Sequence, residues 1–175
     1  MDAGRVSAYA EALYQIVRAE DESGEAEDEL FRFARIVEGN DELRDTLADP
    51  HIPVSRRQQV IEELLSGRAE AVTVSVVSML AANGRIRDLP AIVDSMVERS
   101  AREANKEVAE VRSAIALTED QRSRLADALG RATGKEVEVK VILDPSIKGG
   151  LVAQVGDTVI DGSVRRRLEQ LRNSI

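Results

Sequence analysis

Hydrophobic positions recur every three or four residues through the first hundred residues, the period of a helix that buries one face. From Arg5 to Glu20, Val6, Ala10, Leu13 and Val17 share a side. From Glu25 to Glu38, Leu30, Phe33, Ala34 and Val37 follow the i, i+3, i+4, i+7 spacing, and Gly39-Asn40 supplies a stop. A shorter piece, Asp41 to Ala48, ends at Asp49-Pro50, where proline forbids continuation. A fourth helix spans Ser55 to Leu65 and stops near Ser66-Gly67.

The fifth segment, EAVTVSVVSMLAANGR, breaks the pattern, because Ala71, Val72, Val74, Val76, Val77, Met79, Leu80 and Ala81 leave almost no polar face. Its β-branched residues would also suit a strand. Its length, its small Ser and Ala residues and the Asn83-Gly84 stop predict a helix instead, the most buried of the set. The sixth carries Ile86, Leu89, Val93, Met96, Val97 and Ala101 on its apolar stripe, with Asp88 as cap and Pro90 tolerated in the first turn. Six short helices in sequence imply a bundle.

Near Asn105 the period shortens from 3.6 to 2, which places a domain boundary there. The expected fold class is mainly α: a six-helix N-terminal bundle over residues 1–105, followed by a small α/β domain over residues 106–175. EVAEVRSAIAL reads as a strand. Thr118 and Gln121 have the spacing of a capping box, and Leu125, Ala128 and Leu129 form the expected inner face of the helix that Gly130 or Gly134 ends. EVEVKVIL alternates, with Val137, Val139, Val141 and Leu143 on one side and Glu136, Glu138 and Lys140 on the other, a half-buried strand. Asp144-Pro145-Ser146 and Gly149-Gly150 make turns into LVAQV, and Gly156-Asp157 turns into TVID, which ends at Asp161. Gly162 breaks that strand. Ser163 is the expected cap of a closing helix, with Val164, Leu168, Leu171 and Ile175 facing inward and Arg165, Arg166 and Arg167 starting outside.

Composition narrows the chemistry. With two Tyr, two Phe and no Trp, the core of this 43% hydrophobic chain must be aliphatic. The absence of cysteine excludes disulfides, thiolate metal sites and a thiol nucleophile, and fits a reducing compartment. The opening residues lack an apolar segment behind a basic one, and no run approaches the roughly 18 apolar residues of a membrane helix, so a soluble chain is expected. Acids number 21 against 12 bases through Asn105, and 11 against 12 from Lys106 onward, so the halves carry −9 and +1 of the net −8. An acidic, aromatic-poor first half makes a poor nucleic-acid surface.

No stretch carries a complete ligand motif. The glycine-rich end of the chain lacks both GxGxxG and GxxxxGK[ST], and reads as turns and a cap. GRATGKE, residues 130–136, is one residue short of a nucleotide loop, has Glu136 where a magnesium-binding hydroxyl belongs, and ends a helix instead of beginning one. The single histidine, His51, lies in a loop and cannot build a metal site or a triad alone. The acidic run EDESGEAEDE, residues 20–29, lacks the ligand order of a calcium loop and reads as a charged helix junction. No catalytic residue, metal ligand or cofactor site is expected.

The closing stretch DPSIKGGLVAQVGDTVIDGSVRRRLEQL resembles the C-terminal signature of the F-type ATP synthase delta subunit family, called the oligomycin-sensitivity-conferring protein in mitochondria. YAEALYQIV at residues 9–17 resembles that family's opening helix, and LAANGRIRDLPAIVDSM at 80–96 its fifth-to-sixth helix junction. The loop around His51 and the link near Lys106 have no counterpart among these signatures. The resemblance implies a non-catalytic stator subunit without cofactors, peripheral to the cytoplasmic face of a bacterial membrane and attached to it only through its complex. It implies that the helical domain takes the N-terminal segment of an alpha subunit into a groove between its first and fifth helices. Tyr9, Ala12 and Ile16 with Val76 and Met79 are then the expected lining. It implies that the C-terminal domain grips b-type peripheral stalk subunits. Gly149, Gly150, Gly156, Asp157, Asp161, Gly162, Ser163, Arg165, Arg166 and Arg167 form the motif expected to bind the stalk or to shape that domain. A joint near Asn105-Lys106 would let the domains adjust. The alternatives are a helical-bundle regulatory adaptor without enzymatic activity, and a hydrolase that would lose turnover on a single carboxylate substitution.

Overall fold

In the computed structural model, which describes residues 3–21, 24–147 and 149–162, the helical period of the first hundred residues becomes α1 (Ala3–Glu20), α2 (Ala26–Gly39), α3 (Asp41–Ala48), α4 (Val54–Leu65), α5 (Ala71–Ala82) and α6 (Leu89–Glu103). The shorter period becomes β1 (Glu107–Ser113), α7 (Glu119–Thr133), β2 (Val137–Leu143), β3 (Leu151–Val155) and β4 (Thr158–Asp161). The described residues are thus mostly helical, with one four-stranded mixed sheet. The chain divides into two compact units, Met1–Ser100 and Ala101–Ile175, and the division falls inside α6, ahead of the change in period.

The first unit packs aliphatic side chains, as the composition requires. Leu13, Leu30, Leu47, Ile61, Leu80, Ile92 and Met96 are fully buried, each contributing about 1.5–3 kcal/mol of transfer free energy. The predicted stripe of α2 is buried throughout. Asn40 caps α3, its side chain accepting from the Leu43 N–H at 2.9 Å. Asp21 performs the same service ahead of α2, accepting from the N–H groups of Gly24 and Ala26 at 2.9 Å each. Asp88, expected to cap the sixth helix, instead closes a single 3-10 turn, Ile86–Asp88, and its carboxylate takes the Arg85 guanidinium at 3.3 Å.

The second unit has strand order β2-β1-β3-β4. β1 and β2 run parallel, which demands a crossover, and α7 supplies it. β3 pairs antiparallel with β1 and β4 with β3. The Thr118–Gln121 capping box forms as the spacing predicts, and α7 ends at Gly134 in the left-handed region at φ 75°.

The second unit departs from expectation at four points. β1 stops at Ser113, well short of Leu117, because the backbone turns there and the Ser113 hydroxyl accepts from the Ile115 N–H at 3.4 Å. Ala126, not Ala128, joins Leu125 and Leu129 against the sheet, since positions 125, 126 and 129 form the tighter i, i+1, i+4 face. Lys140, placed on the open side of its strand, is only 4% exposed and holds the Glu138 carboxylate at 2.8 Å. Residues two apart on a strand share a face, so burial of that cation is compensated by its own strand. Leu143, expected inside, ends β2 at 55% exposure.

Candidate docking site

Two flanks of α1 differ in character. Ala10, Leu13, Tyr14 and Val17 are buried. On one flank, Glu11, Tyr14 and Arg18 meet polar partners: Arg99 of α6 holds the Glu11 carboxylate at 2.7 Å and lies 5.8 Å from the Tyr14 ring, while Arg18 donates to the Tyr14 hydroxyl at 3.3 Å. On the other flank, Tyr9 and Ile16 are half-buried and Ala12 is exposed. Positions 9, 12 and 16 stand three and four residues apart, so they form one apolar strip.

α5 is a neighbour of α1. Val72, Thr73, Val76, Val77, Leu80 and Ala81 are buried, and Met79 is half-buried. The structure therefore places Val76, at 2% exposure, within the core, and leaves Met79, Tyr9, Ile16 and Ala12 with surface to offer.

α5 is held at both ends by side chains of other helices. Its N-cap residue Glu70 makes no side-chain cap. Glu29 of α2, itself 8% exposed, accepts from the Glu70 N–H at 2.9 Å and from the Thr73 hydroxyl at 2.6 Å. In a capping box the residue at the third helical position accepts that N–H. Here Thr73 occupies that position and the acceptor comes from another helix. At the far end, Arg85 N–H to Leu80 O at 2.7 Å and Gly84 N–H to Ala81 O at 3.1 Å satisfy the last carbonyls. Arg57 of α4, 6% exposed, adds a donor to Ala81 O at 2.7 Å and also binds the carbonyls of Leu47 and Ile52 at 3.3 and 3.2 Å. An anion at the N-terminus and a cation at the C-terminus both favour the helix dipole.

Sequence reasoning missed these two residues, grouping Glu29 with a charged junction. The signal was present. Glu29 falls on the inner stripe with Ala26, Leu30 and Phe33, and Arg57 stands one turn ahead of buried Ile61.

The C-terminal motif appears as backbone geometry. Gly149 and Gly150 have φ of 117° and 77°. Gly156 and Asp157 form a two-residue turn between paired Val155 and Thr158, with positive φ, 54°, at the glycine alone, the pattern of a II′ hairpin. Asp157 is exposed and Asp161 half-buried. Gly162 donates its N–H to Leu151 O at 2.9 Å. Ser163, Arg165, Arg166 and Arg167, together with the rest of the expected closing helix, lie outside the described residues.

The nucleotide-like stretch borders an open cleft of about 430 Å³ lined by Arg102, Asn105, Lys106, Glu107, Gly134, Lys135 and Glu136. α7 points its C-terminal, carbonyl end there, a polarity opposite to that of a phosphate site, and Lys135 is bonded to Glu107. His51 is 91% exposed and its Nδ1 lies 2.9 Å from Asp49. The His51 backbone N–H, then its ring, hold the Asp49 carboxyl below the usual aspartate range. The Ser146 hydroxyl and N–H do the same for Asp144. Among the described residues no group of three His, Cys, Asp or Glu side chains is placed to hold a metal ion, and no helix is long and apolar enough to cross a membrane.

A mainly helical unit with a partly open apolar flank on α1, followed by a small mixed-sheet unit, defines a two-part protein. The family model described as ATP synthase delta (OSCP) subunit matches residues 6–175, and the chain belongs to that family. ATP synthase subunit delta of Nocardia farcinica is 44% identical over 149 residues, 85% of this chain and 55% of that protein. The protein of the same name in Acidothermus cellulolyticus is 43% identical and that of Desulforudis audaxviator 34%. The chain spans about half the length of the first two relatives, 55% of each, and 95% of the third. A chain in the Toxoplasma gondii mitochondrial ATP synthase hexamer shares the fold, with a TM-score of 0.54 and 18% identity over 97% of this chain and 96% of that one.

Proposed function

We propose that this chain is a non-catalytic stator subunit of an F-type ATP synthase, linking the alpha/beta catalytic head to the b-type peripheral stalk so that proton-driven rotation is coupled to ATP synthesis. The family match across residues 6–175 carries this reading. Residues 1–105 act as a six-helix bundle that receives the N-terminal segment of an alpha subunit along Tyr9, Ala12, Ile16 and Met79, with Val76 as the floor beneath. An amphipathic helix laid in an apolar groove is a known recognition mode, and the half-buried strip on α1 suits it. Residues 106–175 grip the stalk, with Arg165, Arg166 and Arg167 offering charge to acidic or amphipathic helices. The chain then meets the cytoplasmic face of a bacterial membrane only through its complex.

A stator must persist under load, so slow dissociation matters more than fast encounter. A nanomolar contact corresponds to about −12 kcal/mol, within reach of a pre-formed apolar groove. Calorimetric titration of the full chain with a synthetic alpha N-terminal peptide from the same organism is expected to give saturable one-to-one binding. Ala12→Glu is expected to weaken it by about tenfold or more with circular dichroism unchanged, because position 12 is exposed. Absence of binding by the folded chain overturns the groove assignment. Charge reversal at Arg165, Arg166 and Arg167 is expected to weaken capture of the stalk subunits, and unchanged capture overturns that contact.

A further inference from the structure

We propose that Glu29 is a positioning residue for the docking groove: by capping α5 from α2, it fixes the placement of the helix that carries Met79, with Arg57 anchoring the opposite end. This rests on the docking reading above and names the device that keeps that site pre-formed. α5 carries no charged residue of its own, and five of its twelve residues are the β-branched Val72, Thr73, Val74, Val76 and Val77, poor helix formers. Its first turn has no acidic residue and Glu70 makes no side-chain cap. The Glu29 carboxylate instead takes the Glu70 N–H and the Thr73 hydroxyl, at 2.9 and 2.6 Å, on a single oxygen. Those two donors stand about one turn apart on the same side of α5 and converge on one oxygen, so sliding or rotating α5 stretches at least one of the bonds. The three carbonyls held by Arg57 belong to the ends of α3 and α5 and to the loop between α3 and α4, which ties the far end of α5 to a third helix.

The test uses the full chain, a synthetic alpha N-terminal peptide, and the variants Glu29→Ala, Glu29→Gln and Val93→Ala. Val93 is fully buried on α6 and takes no part in the hydrogen bonds of either cap, so its truncation supplies a control of lowered stability. Glu29→Ala is expected to weaken peptide binding by about tenfold and to speed hydrogen exchange at the amides of Glu70, Val74 and Ser75. Glu29→Gln, whose amide oxygen can still accept both bonds, is expected to recover most of the affinity, and Val93→Ala to keep it. Wild-type affinity in Glu29→Ala, or an equal loss in Val93→Ala, overturns the inference. Failure of the wild-type chain to bind the peptide overturns the docking reading instead, and unchanged exchange in α5 of Glu29→Ala then overturns the positioning claim independently.

Discussion

Arg57 and its neighbour Arg56 are adjacent in sequence and opposite in circumstance. Arg56 is exposed and donates to the Gln59 side chain at 2.7 Å, whereas the Arg57 guanidinium is buried against three carbonyl oxygens. Arg57→Ala removes charge-assisted hydrogen bonds and leaves buried acceptors unsatisfied, so urea denaturation is expected to show a loss of about 2–4 kcal/mol. Arg56→Ala is expected to stay within about 0.5 kcal/mol. Asp49 and Asp144 carry a pH signature at this scale. Their folded-state pKa values are depressed by the donors of His51 and Ser146, so each contributes stability that is complete above the ordinary aspartate pKa and is lost as pH falls through the lowered folded value. Carbon-detected NMR titration is expected to place both carboxyl midpoints below that of an ordinary aspartate. A midpoint at the ordinary value contradicts the hydrogen bonding described.

At the scale of elements, what was legible followed from local signals. The Thr118–Gln121 box, the Asn83-Gly84 stop of α5 and the Gly156-Asp157 hairpin were all readable because their partners lie within a few residues. The N-terminal cap of α5 was not, since Glu29 stands 41 residues from Glu70 and 44 from Thr73, and Arg57 stands 24 from Ala81. Buried Lys140 was missed for a related reason: strict alternation assigns faces but cannot tell which face the rest of the chain covers. Thr118→Ala is expected to cost about 1 kcal/mol, read from the urea midpoint, because it removes the cap of α7. Gly156→Ala is expected to cost at least about 0.4–1 kcal/mol, because a side chain is strained at φ 54°. Among the described residues no heavy atom beyond the glycine's chain neighbours lies within 4 Å of the added Cβ, so conformation and not crowding sets that cost.

At the scale of the whole molecule, the chain forms two units, and the proposed stator reading assigns each of them a partner of its own. The candidate site was only partly legible: sequence pattern and family resemblance pointed to the strip on α1, while Val76, expected in the lining, is buried in the core. The central claim is that a partner helix docks along α1 and α5. The most direct measurement is methyl NMR of the full chain with labelled Ile and Met while the alpha N-terminal peptide is added. Ile16 and Met79 are expected to shift and saturate together, while Ile36, 54% exposed on α2 and outside the proposed lining, stays in place. Unmoved Ile16 and Met79 signals in a peptide-saturated chain, or a shift centred on Ile36, would contradict it.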